Sequence, residues 1–435
     1  MQKDGILQKI LIAVFGIGIL AGVIVFAVGS SQSSQQGTVT ILIWGTVPRG
    51  SMNQVVNNIN QTNKDIRVMY IQKSVDTFYS ELVDALASGF GPDVVIYPGD
   101  FLGRMLDKAF ILPYEQYPIT VFQSQYVDAG SVALTATGVA GFPLGVDPVM
   151  MYFNRDILVN NFLTRPPQYW DEMLQFAKTV TRRDGLSLTQ SAVALGSLRN
   201  INHAKDIFAL ISMQAGNTLT DKRDGKLISV LSNPGTNIVP PVESAVSFFL
   251  QFSNTQSDVY SWNSGLPRSL DMFLAGNLAL YFGPSSEFQS LRTRNPNLNF
   301  DVTMMPQLRS ANRRMTLSDV LFVSTTKVSQ NQISARQIMF SLLAPDMHRS
   351  IIDSMGYQSA RRDVLVAPVQ DPYKTMFNNS AMISMAWVDP LSEETDVIFE
   401  KMMNDVVSGA QNVTGAVAGA HKEMERLIST RIRQF

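Results

Sequence analysis

Apolar runs of four to seven residues alternate along most of the chain with segments whose apolar positions recur every three or four residues. Residues 38–44 (TVTILIW) are β-branched and aromatic, and predict a buried strand. A helix over 52–63 and a strand over 66–71 follow. Phe78, Leu82, Ala85 and Leu86 share one face of a predicted helix over 78–88. Gly91-Pro92-Asp93 opens a third strand, 94–97, and a helix follows over 101–108. This order predicts an α/β fold with a mostly parallel sheet, whose ligands sit in loops at the carboxyl ends of the strands. Residues 44–49 and 97–100 are two such loops.

The later pattern is more mixed. Pro166-Pro167 precedes a helix that turns Trp170, Met173, Leu174, Ala177 and Val180 to one side, so Trp170 is expected in the core. Strands are predicted at 192–197, 278–282, 300–305 and 317–324, and a polar, glycine-bearing turn region over 217–233. Helices are predicted at 203–214, 242–252, 269–275, 334–343, 393–408 and 416–430. The stretch GFPLGVDPVMMYFNRDIL (141–158) sets Asp147 between two apolar runs, and Pro148 holds it extended. Its carboxylate marks either a surface bend or the meeting of two packed units.

Two stretches stand apart. Residues 10–28 carry no charge and follow Lys3 and Lys9; at about 1.5 Å per residue they span about 28 Å, enough to cross a bilayer. Residues 1–29 are therefore read as a cytoplasmic stub and single-pass anchor, with the rest of the chain outside. The Ser/Gln-rich residues 30–37 are read as a flexible tether.

With 435 residues, 45% of them hydrophobic, the chain is large enough for more than one core. A net charge of −1 and scattered Arg-Arg pairs argue against a nucleic-acid partner. The absence of cysteine excludes disulfides, thiol chemistry and a lipidated cysteine anchor. His203, His348 and His421 fall at no metal-ligand spacing, no nucleophile elbow or phosphate loop is present, and no cofactor is implied. Two carboxylates suffice for a glycosidase, so a membrane-anchored glycan-cleaving enzyme and a structural surface protein remain as alternatives to a binding protein.

Five stretches taken together resemble the family-1 extracellular solute-binding proteins, the maltose-binding-like receptors of ABC importers. They are GPDVVIYPGD (91–100), 141–158 above, PPQYWDEM (166–173), FLAGNLALYFGP (273–284) and QISARQIMFSLLAPDMHRSIIDSMG (332–356). The resemblance implies two α/β lobes, 38–145 with 322–370 and 146–321 with 371–435, joined by crossing strands around a ligand cleft. It implies hinges near 145–149, 318–322 and 369–373, and places Asp147 at the first, facing the cleft. It also implies a monomer that takes a small molecule, most often a carbohydrate, and delivers it to an ABC permease in the membrane.

Carried over residue by residue, Trp44, Thr46, Arg49, Tyr97 and Asp100 become ligand contacts of the first lobe. From the residues alone, Trp44 and Tyr97 read equally well as core and Asp100 as a helix cap. The pattern departs from the family twice. Phe101 stands where a basic residue is common, and Ser285 where many members have tryptophan. Ser285 is taken as the ligand contact at that place, with Trp262 and Trp387 as candidates for the missing aromatic platform.

Overall fold

The computed structural model describes residues 38–432, apart from 217, 236–237 and 312. The 1–29 anchor and the 30–37 tether therefore lie outside the described residues. Among the described residues no helix is long and apolar enough to cross a membrane.

The chain opens as its pattern predicts. Strands β1 (Val39–Gly45), β2 (Ile66–Gln72) and β3 (Val94–Pro98) run parallel, with β1 between the other two. Helices Arg49–Thr62 and Val75–Ala87 connect them, burying Met52, Val55 and Ile59 in one case and Phe78 and Leu82 in the other. Burial of each such apolar side chain contributes about 1.5–3 kcal/mol, which is what holds the helices on the sheet.

The centre of the fold is β4 (Phe142–Asn154), thirteen residues in one unbroken strand and nearly all buried. The two runs flanking Asp147 are thus a single strand, not two strands around a bend. Proline at 143 and 148 removes N–H donors but leaves the extended backbone intact. At about 3.3 Å per residue β4 is about 40 Å long, more than one sheet normally spans. It serves two. Residues Phe142–Pro148 pair antiparallel with β8 (Thr316–Thr325), which pairs with β3 in turn. Its later residues pair antiparallel with β6 (Leu278–Pro284) and β7 (Phe300–Met304), and β6 lies parallel to β5 (Ser187–Val193).

The buried apolar side chains fall into two clusters on either side of this crossing. One draws mainly on residues 41–146 and 320–365. The other draws mainly on 149–317 and 377–432. Gly145 lies between them because nothing larger fits. A Cβ there would come within 2.9 Å of Ile352 and 3.3 Å of the Gln358 carbonyl.

Three local departures have physical causes. The 217–233 region contains a hairpin of strands Thr220–Arg223 and Lys226–Ser229, turned by Asp224 and Gly225 at φ 51° and 71°. Its Lys222 donates to the Val132 and Leu134 carbonyls, the latter at 2.7 Å, tying the hairpin to the far side of the crossing. The strand predicted at 192–197 instead ends at Val193, ahead of Gly196 at φ 99°. The helix expected after Pro166-Pro167 begins only at Glu172, yet Trp170 is buried as expected, its indole N–H donating to Gln214 Oε1 at 2.7 Å.

Candidate functional site

A cleft of about 480 Å³ opens where the two clusters face each other. The first lobe supplies Gly99, Asp100, Val132 and Phe322, and β8 supplies its floor, Leu317–Val320 in sequence. The second lobe supplies Leu198, Arg199, Ile201, and the run His203 to Asp206 at the start of helix Ala204–Gln214. Trp387, Asp389, Ser392, Asp396 and Glu400 close the far wall, around the start of helix Ser392–Val407.

Three carboxylates dominate it. Asp100 sits in the single helical turn Gly99–Phe101 that follows β3 directly, so the strand end aims it at the cleft. Asp319 projects from the middle of β8, and Asp206 from the first turn of its helix. Asp100 and Asp319 are solvent-accessible, but the cleft walls around them solvate a charge less well than open surface does. Burial, and then the charges of Asp319 and Asp389, push Asp100 up to about 7 against the opposing pull of Lys205. Burial likewise raises Asp206 against the pull of His203 and Lys205, and burial, then the charges of Asp206 and Asp147, raise Asp319.

Two of the three basic residues that line the cleft are engaged, and the third, Arg199, is exposed. Lys205 Nζ lies 2.8 Å from Asp389 Oδ2 and 2.9 Å from Asp396 Oδ1, and donates to the Ser392 hydroxyl and carbonyl. Burial disfavours its charge, but Asp389 and Asp396 more than compensate, and its pKa is raised. His203 Nε2 lies 3.0 Å from Glu287 Oε1. Burial opposes protonation of that ring, yet Glu287 and Asp206 raise its pKa above the ordinary value. Among the described residues no group of three or more His, Asp or Glu side chains is arranged to hold a metal ion.

Of the residues singled out from sequence, Asp100 and Trp387 line this cleft, Trp387 half-buried with its ring 6.3 Å from Phe399. Trp44, Thr46 and Arg49 lie at the same end of the sheet, beside the β3 loop, but are not among the lining residues. Trp44 is buried in the first-lobe core and so is not the ligand contact expected of it; Lys73 Nζ covers its ring at 3.7 Å, and the Trp44 indole N–H and Thr46 hydroxyl have no hydrogen-bond partner among the described residues.

Four other expectations need correction. Tyr97 is fully buried and shares a 2.9 Å hydrogen bond with Ser324, so it packs between β3 and β8. Trp262 is 0% exposed and donates to Asn200 Oδ1 at 3.0 Å, as a core residue of the second lobe. Asp147 is only 3% exposed, and accepts from Ser285 Oγ at 2.8 Å and the Ser286 N–H at 3.0 Å. The carboxylate is thus covered by Ser285 and Ser286 and not presented to the cleft. Burial raises its pKa to about 6 despite these bonds. Ser285 is buried as its partner, its hydroxyl spent on Asp147 and not open to the cleft.

Sequence reasoning missed Asp319, Asp206, Lys205 and Asp389. The available signal for Asp319 was a single charge inside the otherwise buried strand TLSDVLFVST.

The family model for bacterial extracellular solute-binding proteins matches residues 54–377. The chain belongs to this family. As a solute-binding protein of an extracellular family, it works outside the cytoplasm. A binding protein of Brucella abortus (strain 2308) is 20% identical over 352 residues, covering 80% of this chain and 81% of its own length. Among solved structures, the cyclic alpha-maltosyl-1,6-maltose binding protein from Arthrobacter globiformis is 14% identical. It covers 91% of this chain and 100% of its own, with a TM-score of 0.75. The sugar-binding protein MalE from Xanthomonas citri is 17% identical over 90% of this solute-binding protein and 98% of its own chain, with a TM-score of 0.72. These likenesses establish the two-lobed α/β solute-binding fold.

Proposed function

We propose that this solute-binding protein captures a saccharide between its lobes by hinge closure and delivers it to an ABC permease. The observation that carries the proposal is convergence. Asp100 from the first lobe, Asp319 from the crossing strand and Trp387 from the second lobe meet on one cleft. Carboxylates accept hydrogen bonds from adjacent hydroxyls, and an aromatic face packs on the C–H surface of a sugar ring. A ligand touching both lobes favours the closed state, because the open state offers only part of those contacts. The sugar-binding names of the structural neighbours support the saccharide class. Thr46 and Arg49, beside the Asp100 loop, would extend the contact surface for a longer chain. The protein acts as a monomer without turnover, held at the membrane by residues 1–29, with hinges on β4 and β8.

The test is a thermal-shift screen of the purified full-length chain against saccharides, polyols and peptides. A bound ligand raises the melting temperature by mass action. Saccharide hits, a smaller radius of gyration by solution scattering at saturation, and no new reducing ends on incubation are expected. Stabilisation by peptides alone contradicts the saccharide, and released reducing ends contradict a receptor without turnover.

A further inference from the structure

The cleft is more acidic than a neutral sugar requires. Six carboxylates line it, against Arg199, Lys205 and His203. The chain as a whole carries only −1, so this acidity is local. Lys205 is held by Asp389 and Asp396, and His203 by Glu287. Asp100 and Asp319 have neither a hydrogen bond nor an ion pair among the described residues, and Asp206 has only His203 at 3.9 Å. A fourth polar group joins them. Ser318, also lining the cleft, is 4% exposed, and its hydroxyl has no hydrogen-bond partner among the described residues.

Closing the lobes over a neutral ligand would enclose three mutually repelling carboxylates that the exposed Arg199 and His203, 3.9 Å from Asp206, only partly offset, which is costly in a desolvated site. A ligand ammonium lowers that cost. It offers three N–H donors, and its bonds to carboxylates are charge-assisted and short. A metal ion would also supply charge, but no group of ligating side chains is arranged to hold one among the described residues. Building on the saccharide assignment above, we infer that the cleft takes a saccharide bearing a protonated amine, seated between Asp100, Asp206 and Asp319 with Ser318 beside it.

The test titrates the full-length chain calorimetrically, at low salt, with three disaccharides of one linkage. These are β-1,4-linked diglucosamine with free amines, its N,N′-diacetyl form, and cellobiose. The free-amine form is expected to bind at least about tenfold tighter than either neutral form. Asp319→Asn should collapse that ratio towards one, while Asp258→Asn, at an exposed carboxylate far from the cleft lining, should leave it unchanged. Thermal unfolding of each variant establishes that it is folded. If cellobiose or the acetylated form binds as tightly as the amine, the inference is overturned and the saccharide assignment stands. If none of the three binds but spermidine does, the saccharide assignment falls and with it the amino-saccharide. An unchanged ratio in folded Asp319→Asn also overturns the inference.

Discussion

Asp147 on β4 and Asp319 on β8 are directly paired in the antiparallel ladder of the crossing, so their side chains lie on the same face. Their surroundings differ completely. Ser285 and Ser286 fold over Asp147 and satisfy its carboxylate, tying the crossing strand to the second lobe. Asp319 remains open to the cleft with no hydrogen-bond partner among the described residues. One acidic residue is therefore enclosed at the crossing and its neighbour faces the cleft. Sequence spacing cannot distinguish them, because the cover comes from a segment about 140 residues downstream.

The same contrast recurs between tryptophans, where the largest effect is expected. Trp262 is wholly enclosed in the second-lobe core. Trp262→Ala should lose about 3–5 kcal/mol of stability in urea unfolding, as deletion of a buried indole does. A loss below about 1 kcal/mol would return Trp262 to the candidates for ligand contact.

Next in size is the pH dependence set by Asp147. Its folded carboxyl keeps its proton to about pH 6, and the unfolded carboxyl only to about 3.8. Between these values the folded state binds more protons, so stability present at low pH is lost as pH rises through this window. Asp147→Asn lacks that titration. Its stability relative to the wild type should rise by up to about 3 kcal/mol between pH 3.5 and pH 8, at about 1.36 kcal/mol per pH unit. Urea midpoints at both pH values measure it. A flat difference would show that Asp147 is not held in the environment described.

Much of this architecture was legible in the sequence. The alternation of strands and helices from residue 38 onward, and the burial of Trp170, follow from apolar periodicity. The cleft was only partly legible. Asp100 follows a strand end, where position alone suggests a ligand loop, and Trp387 stands alone in a turn-like stretch. His203, Lys205 and Asp206 open a helix and look like ordinary solvated helix-start residues. Only the packing of that helix against the segment Trp387 to Asp396 turns them into a wall. The Asp224-Gly225 hairpin was readable, since that dipeptide favours the positive φ angles the turn adopts.

The smallest expected effect belongs to Trp387. Half-buried against Phe399, it should cost about 1 kcal/mol or less of stability when changed to Ala. Loss of an aromatic contact worth about 0.5–1.5 kcal/mol should weaken saccharide binding by about two- to tenfold in calorimetric titration. A large fall in stability with unchanged affinity would place it with Trp262 instead.

In the proposed function Asp319 takes the ligand while Asp147 holds the crossing strand in place. The most direct measurement titrates Asp319→Ala and Asp147→Ala with the saccharide that best stabilises the wild type. Hydrogen bonds to a charged acceptor are worth about 1.5–3 kcal/mol, so Asp319→Ala should bind about ten- to a hundredfold more weakly. Asp147→Ala should stay within about threefold of wild type, a difference of under about 0.7 kcal/mol. The reverse pattern, with Asp147→Ala losing binding and Asp319→Ala retaining it, would contradict the account.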